Sequence, residues 1–459
     1  MTDLKSWLLL ALVLVGCPMP MVMPLPDSGT PAPDASMKID AGPDCLALER
    51  VDLDQADAGR FFLLEAGAGG DFVPRIAFDN LWRVWGTGQP ADFAAAARAR
   101  YGFSEALTFN DGLPMGLHQS GNQVRADCLV CHGGVVAGQS VIGAPNNQID
   151  LELLVDDLKA LAALVGFPAP NPPTLRTGAR GISDIVGMTI QLGLRGGAPP
   201  FPVNTEIGYQ DPPAWWALAT KTRVYTDGSA PQSGHRTFMA TQLAFGTTQA
   251  ELEALEPSYI ALRQYLLTLA PPAWPFTAPD VAAVERGRAL FRAQCTTCHR
   301  DDRCERMNSV EIGRLSVGTD PERSLKYTDN EVSLINGTWF GAPSPHRATG
   351  AYLVPSLRGV WASAPYFHNG SVPTLAGVLD STSRPRFFRI LGTSRADYDQ
   401  VKVGLQVELF TAAPPNPTRA NRAAVYDTTR TGLGNRGHTY GDALTAAQRA
   451  DVIVFLKTQ

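Results

Sequence analysis

Two copies of one five-residue pattern stand out in this sequence: Cys128-Leu-Val-Cys131-His132 and Cys295-Thr-Thr-Cys298-His299. Two thiols at this spacing can add to the two vinyl groups of a haem, and the histidine that follows can reach the iron from the proximal side. The pattern is typical of covalent haem attachment, so we predict two covalently bound haem c groups. The predicted attachment residues are Cys128, Cys131, Cys295 and Cys298, and the predicted proximal iron ligands are His132 and His299.

Two other interpretations of a Cys-x-x-Cys pair fit this chain less well. A structural zinc site needs four protein ligands, and the two pairs lie far apart in the sequence. A thioredoxin-like redox pair does not need a histidine after the second cysteine, whereas both pairs here have one.

The second haem is expected to have a histidine as its sixth ligand. His438 lies shortly before a C-terminal segment that begins with a capping-box pattern at Thr445 and Gln448, where class I cytochromes commonly bring a sixth ligand from a loop. Because no methionine follows Met307, a His/Met pair from this loop is excluded, and we predict His438 as the ligand. A bis-His iron is coordinatively saturated and suits electron transfer.

The first haem is expected to be different, because no histidine follows His132 until His235. We predict an open sixth position that binds dioxygen or peroxide, with ligation by His235 as the alternative. Candidate residues of the distal pocket are Trp216, from the segment Pro212-Pro-Ala-Trp-Trp216, together with Arg236 and Phe238. Aromatic side chains would exclude water, and Arg236 or His235 could polarise bound oxygen. Trp216 could also relay electrons between the haems, and ordinary core packing is the other explanation for these aromatic residues.

The elements around these motifs predict a mainly α, loop-rich fold with two class I cytochrome c-like haem domains packed together. Asp280 is a plausible N-cap for a helix that leads to Cys295, and a packed helix is expected at the C-terminus. The domains are predicted at 46–274 and 278–459, joined by a Pro-rich linker. Further helices are expected at 76–86, 90–101, 150–165 and 249–269.

The N-terminus predicts export. Residues 1–16 have the short apolar run of a signal peptide, and Gly16-Cys17 is typical of a lipoprotein signal in which Cys17 becomes a lipid anchor. An ordinary cleaved signal is the alternative. Residues 17–45 are rich in proline and small residues and are expected to be a disordered tether. Two spare cysteines, Cys45 and Cys304, could form a disulfide in an oxidising compartment.

The charge of the chain bears on its partners. The formal net charge is −5, so we expect no binding to nucleic acid. The expected location is the periplasm or the cell surface, with the lipid anchor in the membrane. The expected partners are a small redox protein and an apolar or peroxide substrate.

Several segments of the C-terminal part resemble the dihaem rubber oxygenases, within the superfamily of dihaem cytochrome c peroxidases. The resemblance rests on Gly318-Thr-Asp-Pro-Glu-Arg323, on the segment from Leu357 to Leu375 that contains Pro365-Tyr-Phe-His368-Asn-Gly, and on Gly437-His438. It implies that the first haem binds dioxygen, that the second is bis-His, and that His368 lies beside a haem propionate without binding iron.

Together these features predict an exported dihaem oxidoreductase in which the first haem activates dioxygen or peroxide and the second transfers electrons. One alternative is a dihaem peroxidase that reduces hydrogen peroxide, which would need a second haem of high potential. The other is an electron carrier without catalysis, which would need two six-coordinate irons.

Overall fold

A computed structural model describes residues 49–166, 176–184, 208–239, 242, 247–299, 311–415 and 418–459. The predicted signal peptide, the tether and both spare cysteines lie outside these residues. Within them, no helix is long and apolar enough to cross a bilayer.

Helix and loop dominate the described part of the chain, in agreement with the predicted class. The α-helices are α1 (Leu53–Phe61), α2 (Arg75–Asp79), α3 (Phe93–Tyr101), α4 (Leu129–His132), α5 (Leu151–Leu164), α6 (Gln249–Thr268), α7 (Val281–Gln294), α8 (Arg314–Val317), α9 (Asp329–Asn336), α10 (Leu375–Leu379), α11 (Arg419–Ala424) and α12 (Ala446–Leu456).

Short antiparallel strands, which the sequence did not predict, connect the helices. The strands are β1 (Gly70–Pro74), β2 (Leu117–Ser120), β3 (Gln123–Ala126), β4 (Gly133–Val136), β5 (Gln139–Ile142), β6 (Thr177–Ala179), β7 (Ile182–Ser183), β8 (Arg223–Val224), β9 (Ala230–Pro231), β10 (Glu311–Gly313), β11 (Ala351–Leu353), β12 (Phe387–Ile390), β13 (Tyr398–Asp399), β14 (Gly404–Leu405), β15 (Val407–Leu409) and β16 (Tyr426–Asp427). One three-stranded sheet has the order β1-β3-β2 and another has the order β15-β12-β16, whereas the other strands form two-stranded pairs.

Most of the predicted helices are present, and one is wrong. The segment 76–86 does not form a single helix, because α2 ends before Asn80 and a separate 3₁₀ turn follows at Leu81–Val84. The Asn80 side chain donates to the Ile76 carbonyl oxygen at 2.8 Å, which gives the backbone a local alternative to a continued helix. The predicted N-cap at Asp280 and the capping box at Thr445 are confirmed.

We call the described residues up to 274 the N-terminal part of the chain and those from 278 the C-terminal part. Each part contains a pair of helices in close contact. In the N-terminal part, α1 lies on α6 so closely that a Cβ added at Gly59 would come within 2.1 Å of the Ala261 carbonyl oxygen. In the C-terminal part, α7 and α12 meet in the same way, and a Cβ at Gly287 would lie 2.0 Å from the Asp451 carbonyl oxygen. A glycine therefore permits the backbone contact in both pairs.

The Pro-rich linker predicted after α6 is packed against the C-terminal core. The ring of Trp274 lies edge-on to Trp361 at a centroid distance of 5.2 Å, and Phe276 stacks on Tyr398 at 5.2 Å. The same apolar cluster includes Trp216 from the N-terminal part. The core therefore continues across the predicted domain boundary.

Ion pairs also join the two parts, and we call them the boundary ion pairs. Arg323 and Asp227 are both buried, with 2.7 Å between Nη1 and Oδ2. In each pair the cation belongs to the C-terminal part and the carboxylate to the N-terminal part. The boundary ion pairs are Arg323–Asp227, Lys326–Asp184, Arg419–Asp150, Arg419–Asp156 and Arg422–Glu152.

Candidate functional site

Both Cys-x-x-Cys-His motifs open into one large cavity of about 1560 Å³. This volume exceeds the ~300–1,000 Å³ of a usual small-molecule site. All the cysteines and histidines of the two motifs line the cavity, together with His346, His368 and His438. One connected space therefore holds both candidate attachment sites.

The two motifs adopt the same backbone turn. In the first, the amide of His132 donates to the Cys128 carbonyl oxygen at 2.9 Å. In the second, the amide of His299 donates to the Cys295 carbonyl oxygen at 2.8 Å. Each turn directs both thiols and the imidazole into the cavity.

A buried polar pair supports the first motif from outside. Asp127, which precedes the motif, accepts a hydrogen bond from the Leu129 amide at 2.8 Å. The other carboxylate oxygen of Asp127 lies 2.8 Å from Nε2 of His118, and both side chains are buried. His118 is thus a structural residue on the motif's side of the pocket.

The ring of His132 is held in one orientation by a segment that sequence reasoning had placed elsewhere. Nδ1 of His132 lies 3.1 Å from the Pro213 carbonyl oxygen, which can only accept, so Nδ1 carries the proton and Nε2 keeps its lone pair. Trp215 stacks on the same ring at a centroid distance of 4.4 Å and an angle of 22°. Within the Pro-Pro-Ala-Trp-Trp element, Pro213 and Trp215 therefore support the imidazole of His132 itself, which corrects their expected place in the distal pocket.

The second motif faces His438, as predicted. The ring centroids of His299 and His438 are 6.3 Å apart, with an angle of 62° between the ring planes. Two imidazoles that bind one metal ion from opposite sides have centroids about 6 Å apart, since each metal–nitrogen bond is about 2 Å long. The spacing suits two histidines that share one iron.

Burial keeps His132 and His299 neutral. Desolvation lowers the pKa of His132 to about 4, against the opposing effect of the hydrogen bond to Pro213. Desolvation likewise lowers the pKa of His299 to about 4, with His438 as a further cause and the Pro355 carbonyl opposing the shift. Neutral imidazole is the form that binds a metal ion, so both rings are prepared for ligation at pH 7.

His368 lines the cavity but has a different partner. Its ring stacks on Tyr352 at 4.2 Å, with Nε2 3.1 Å from the tyrosine hydroxyl. Desolvation, with a smaller effect of Arg323, lowers the pKa of His368 to about 3. The side chain is a neutral hydrogen-bonding group on the wall, and its predicted place beside a haem propionate stays a prediction.

The predicted distal residues divide into two groups. Trp216 and Phe238 line the cavity, and the Trp216 indole donates to the Arg358 carbonyl oxygen at 2.9 Å. Arg236 and His235 are not among the lining residues, because both side chains bind the Glu256 carboxylate. The Arg236 guanidinium also lies 3.6 Å from the ring centroid of Trp339.

This placement corrects two of the expected roles. The guanidinium of Arg236 is engaged away from the cavity, and so is the ring of His235. Neither side chain is therefore placed to polarise oxygen bound at the first motif. Phe238 lines the cavity, and its place in a distal pocket stays a prediction.

His346 is a cavity residue that sequence reasoning missed. Its ring is buried, faces Tyr225, Tyr327 and Phe340 at centroid distances of 6.1 to 6.4 Å, and has a pKa lowered to about 4 by desolvation. The backbone carbonyl of Ser344 opposes this shift of the pKa. The residue lies far from either motif in sequence, and no local pattern indicated its position.

The residues present fit covalent haem. The cavity is lined mostly by apolar side chains, the thiols of each motif face it, and neutral imidazoles are available on both proximal sides. Covalently bound haem needs an apolar slot for its porphyrin, two thiols that reach its vinyl groups, and a nitrogen ligand for the iron.

One comparison with known proteins, the match to a family, points to the same cofactor. Residues 351–389, which include His368, match the family described as RoxA-like, cytochrome c-like. The uncharacterized protein y4iM of Sinorhizobium fredii (strain NBRC 101917 / NGR234) is 27% identical over 310 residues, which cover 57% of this chain and 66% of that protein. The uncharacterized protein y4iJ of the same strain is 24% identical over 259 residues, or 41% of each chain.

One solved structure is also similar, with a TM-score of 0.28 and 18% identity over 64% of this chain and 94% of the other. It is the crystal structure of a MauG-like protein associated with microbial copper homeostasis. The likeness to the cytochrome c-like family and the two motifs together indicate covalently bound haem c and a haem-dependent redox function.

Proposed function

We propose that this chain is an exported dihaem c-type oxidoreductase with one reactive haem and one electron-transfer haem. A five-coordinate haem c at the first motif would supply binding and activation of dioxygen or peroxide, and a bis-His haem c at the second would supply electron transfer. The observation that carries the proposal is the difference between the two proximal histidines. His299 faces the imidazole of His438 at a centroid distance of 6.3 Å, whereas no other histidine among the described residues makes a ring contact with His132.

The side chains of the cavity support separate tasks at the two ends. Phe238, at the wall of the cavity, excludes water from an apolar substrate. Trp216 is 2% exposed, comes from the N-terminal part and packs in the core of the C-terminal part. This position suits an electron relay between the two haems, and it suits distal contact with an apolar substrate less well.

The rest of the proposal concerns the cell and the partners. We propose that residues 1–16 direct export, that Cys17 carries a lipid anchor, and that the protein works in the periplasm or at the cell surface. A small redox protein would exchange electrons with the second haem, and nucleic acid is not a partner.

The test is low-temperature EPR of the purified haem-loaded protein, with the haem content per chain measured beside it. We expect two haems, one high-spin and one low-spin, and loss of the low-spin signal alone in His438→Ala. His235→Ala, whose side chain binds Glu256 outside the cavity, is the matched control and should change neither signal. A single haem per chain, or two low-spin haems that do not react with oxygen or peroxide, would overturn the proposal.

A further inference from the structure

The backbone that carries His438 adopts an uncommon conformation. Gly437 and His438 are consecutive residues with positive φ, at 76° and 46°. A non-glycine residue with positive φ is uncommon and persists where surrounding contacts fix it. Gly437 also lies so close to Gly318 that an added Cβ would be 2.2 Å from the Gly318 carbonyl carbon. The ring of His438 thus depends on contacts that hold this loop.

One side chain makes most of these contacts. Nη1 of Arg384 donates to the carbonyl oxygens of Asn435 and Gly437, each at 2.7 Å. Nη2 donates to the carbonyl oxygen of His438 itself at 3.1 Å. The guanidinium therefore binds three carbonyls within four consecutive residues of the loop.

The other side of the same guanidinium is fixed to a rigid element. Nε of Arg384 donates to the Gly377 carbonyl oxygen at 2.8 Å, and Nη2 lies 3.3 Å from the Val378 carbonyl oxygen. Both carbonyls belong to α10. The arginine thus connects the His438 loop to a helix whose residue Leu379 lines the haem cavity.

We propose that Arg384 is a positioning residue for the second haem, acting through His438. This inference rests on the proposed bis-His site and extends it to the group that orients its distal ligand. A planar guanidinium has five N–H donors in a fixed arrangement, so it can bind carbonyls of the loop and of α10 at once. Lysine offers three donors on one nitrogen and cannot span both sets.

The position of the arginine also explains the shape of the loop. The amide of His438 donates to the Val317 carbonyl oxygen at 2.7 Å. With its amide and its carbonyl both bound, the residue keeps a positive φ that directs the imidazole toward His299. Loss of the arginine frees the carbonyl side, and the loop can then return to an ordinary conformation.

The experiment compares Arg384→Gln and Arg384→Lys with the unaltered haem-loaded protein. We expect the low-spin signal of the second haem to decrease in Arg384→Gln. Cyanide must displace His438, so its affinity for that haem should increase by the factor by which the histidine ligand is weakened, about 10–100-fold for loss of an outer partner of a metal ligand. Arg384→Lys keeps the charge and part of the hydrogen bonding, so its increase should be smaller. The signal of the first haem should be unchanged in both.

Arg395→Gln is the matched control. Like Arg384, Arg395 donates to a backbone carbonyl, that of Pro275 at 2.7 Å, and lies over a phenylalanine ring, but neither of these contacts involves the His438 loop. It should leave the spectrum and the cyanide affinity unchanged.

The outcomes separate this inference from the proposed function. If His438→Ala changes the second haem and neither Arg384 variant does, the role of Arg384 is refuted while the bis-His site stands. If His438→Ala itself leaves the second haem low-spin, the bis-His site is refuted. Equal effects of Arg395→Gln and Arg384→Gln would reduce Arg384 to a general structural residue and also overturn the inference.

Discussion

Asp227→Asn is expected to destabilise the protein strongly, because it removes the charge partner of a fully buried guanidinium. The side chains of Arg323 and Asp227 are 0% and 2% exposed. One carboxylate oxygen of Asp227 binds Nη1 of Arg323 at 2.7 Å, and the other accepts from the Ser229 amide at 3.1 Å. An asparagine has one oxygen and can satisfy only one of these donors.

The magnitude follows from the burial. Removing one partner of a buried ion pair costs about 3–5 kcal/mol, since the remaining charge stays desolvated. That free energy corresponds to a decrease of about two to three and a half orders of magnitude in the folding equilibrium constant. The measurement is urea unfolding of the haem-loaded protein followed by far-ultraviolet circular dichroism, with the slope of the transition compared between variants.

Glu408→Gln provides the control for the same chemical change at the surface. Glu408 pairs with Arg389, and the two side chains are 43% and 50% exposed. An exposed pair contributes about 0.2–1 kcal/mol and is screened by salt. If Asp227→Asn lowers the unfolding midpoint no more than Glu408→Gln, the buried charge has another compensating partner and the reasoning is refuted.

Two further predictions concern each motif's surroundings. Trp215→Ala should alter the spectrum of the first haem and not that of the second, because the ring stacked on His132 is lost. Trp215→Phe should restore most of the original spectrum. Identical spectra in all three proteins would contradict a role of Trp215 in orienting His132. Gly287→Ala should lower the free energy of unfolding by about 1–3 kcal/mol in a urea titration, because the new Cβ meets the Asp451 carbonyl oxygen. The better helix propensity of alanine offsets only part of this loss. An unchanged or higher unfolding midpoint would show that α7 and α12 lie less close together.

The features that sequence reasoning predicted well depend on local pattern. The two motifs, the N-cap at Asp280 and the capping box at Thr445 are defined within five residues, and the structure confirms both caps. The meeting of His299 with His438 was also predicted, because a ligand loop before a C-terminal helix is a recurring arrangement in cytochromes. The centroid distance of 6.3 Å agrees with it.

The features that sequence reasoning missed depend on contacts between distant segments. Pro213 binds His132 across 81 residues, and a carbonyl oxygen carries no residue-specific signal in a sequence. Arg236 is a side chain of the type that could polarise oxygen in the pocket, but its guanidinium binds Glu256, 20 residues later in the chain. His346 lines the cavity beside Tyr225, a residue 121 positions earlier in the chain, and helical or strand periodicity does not indicate such a contact.

The boundary ion pairs have a consequence for assembly. Both parts of the chain contain a closely packed helix pair and a Cys-x-x-Cys-His motif. Two copies of the same part could therefore associate wrongly, in place of the correct pairing of unlike parts. Every carboxylate of these pairs lies on one part and every cation on the other, as in Arg323–Asp227 and Lys326–Asp184. In an association of two N-terminal parts these carboxylates would lose the cations that pair with them here, and in an association of two C-terminal parts the cations would lose their carboxylates. The charge pattern therefore selects against association of like with like and favours the unlike pairing that creates a common cavity for both motifs.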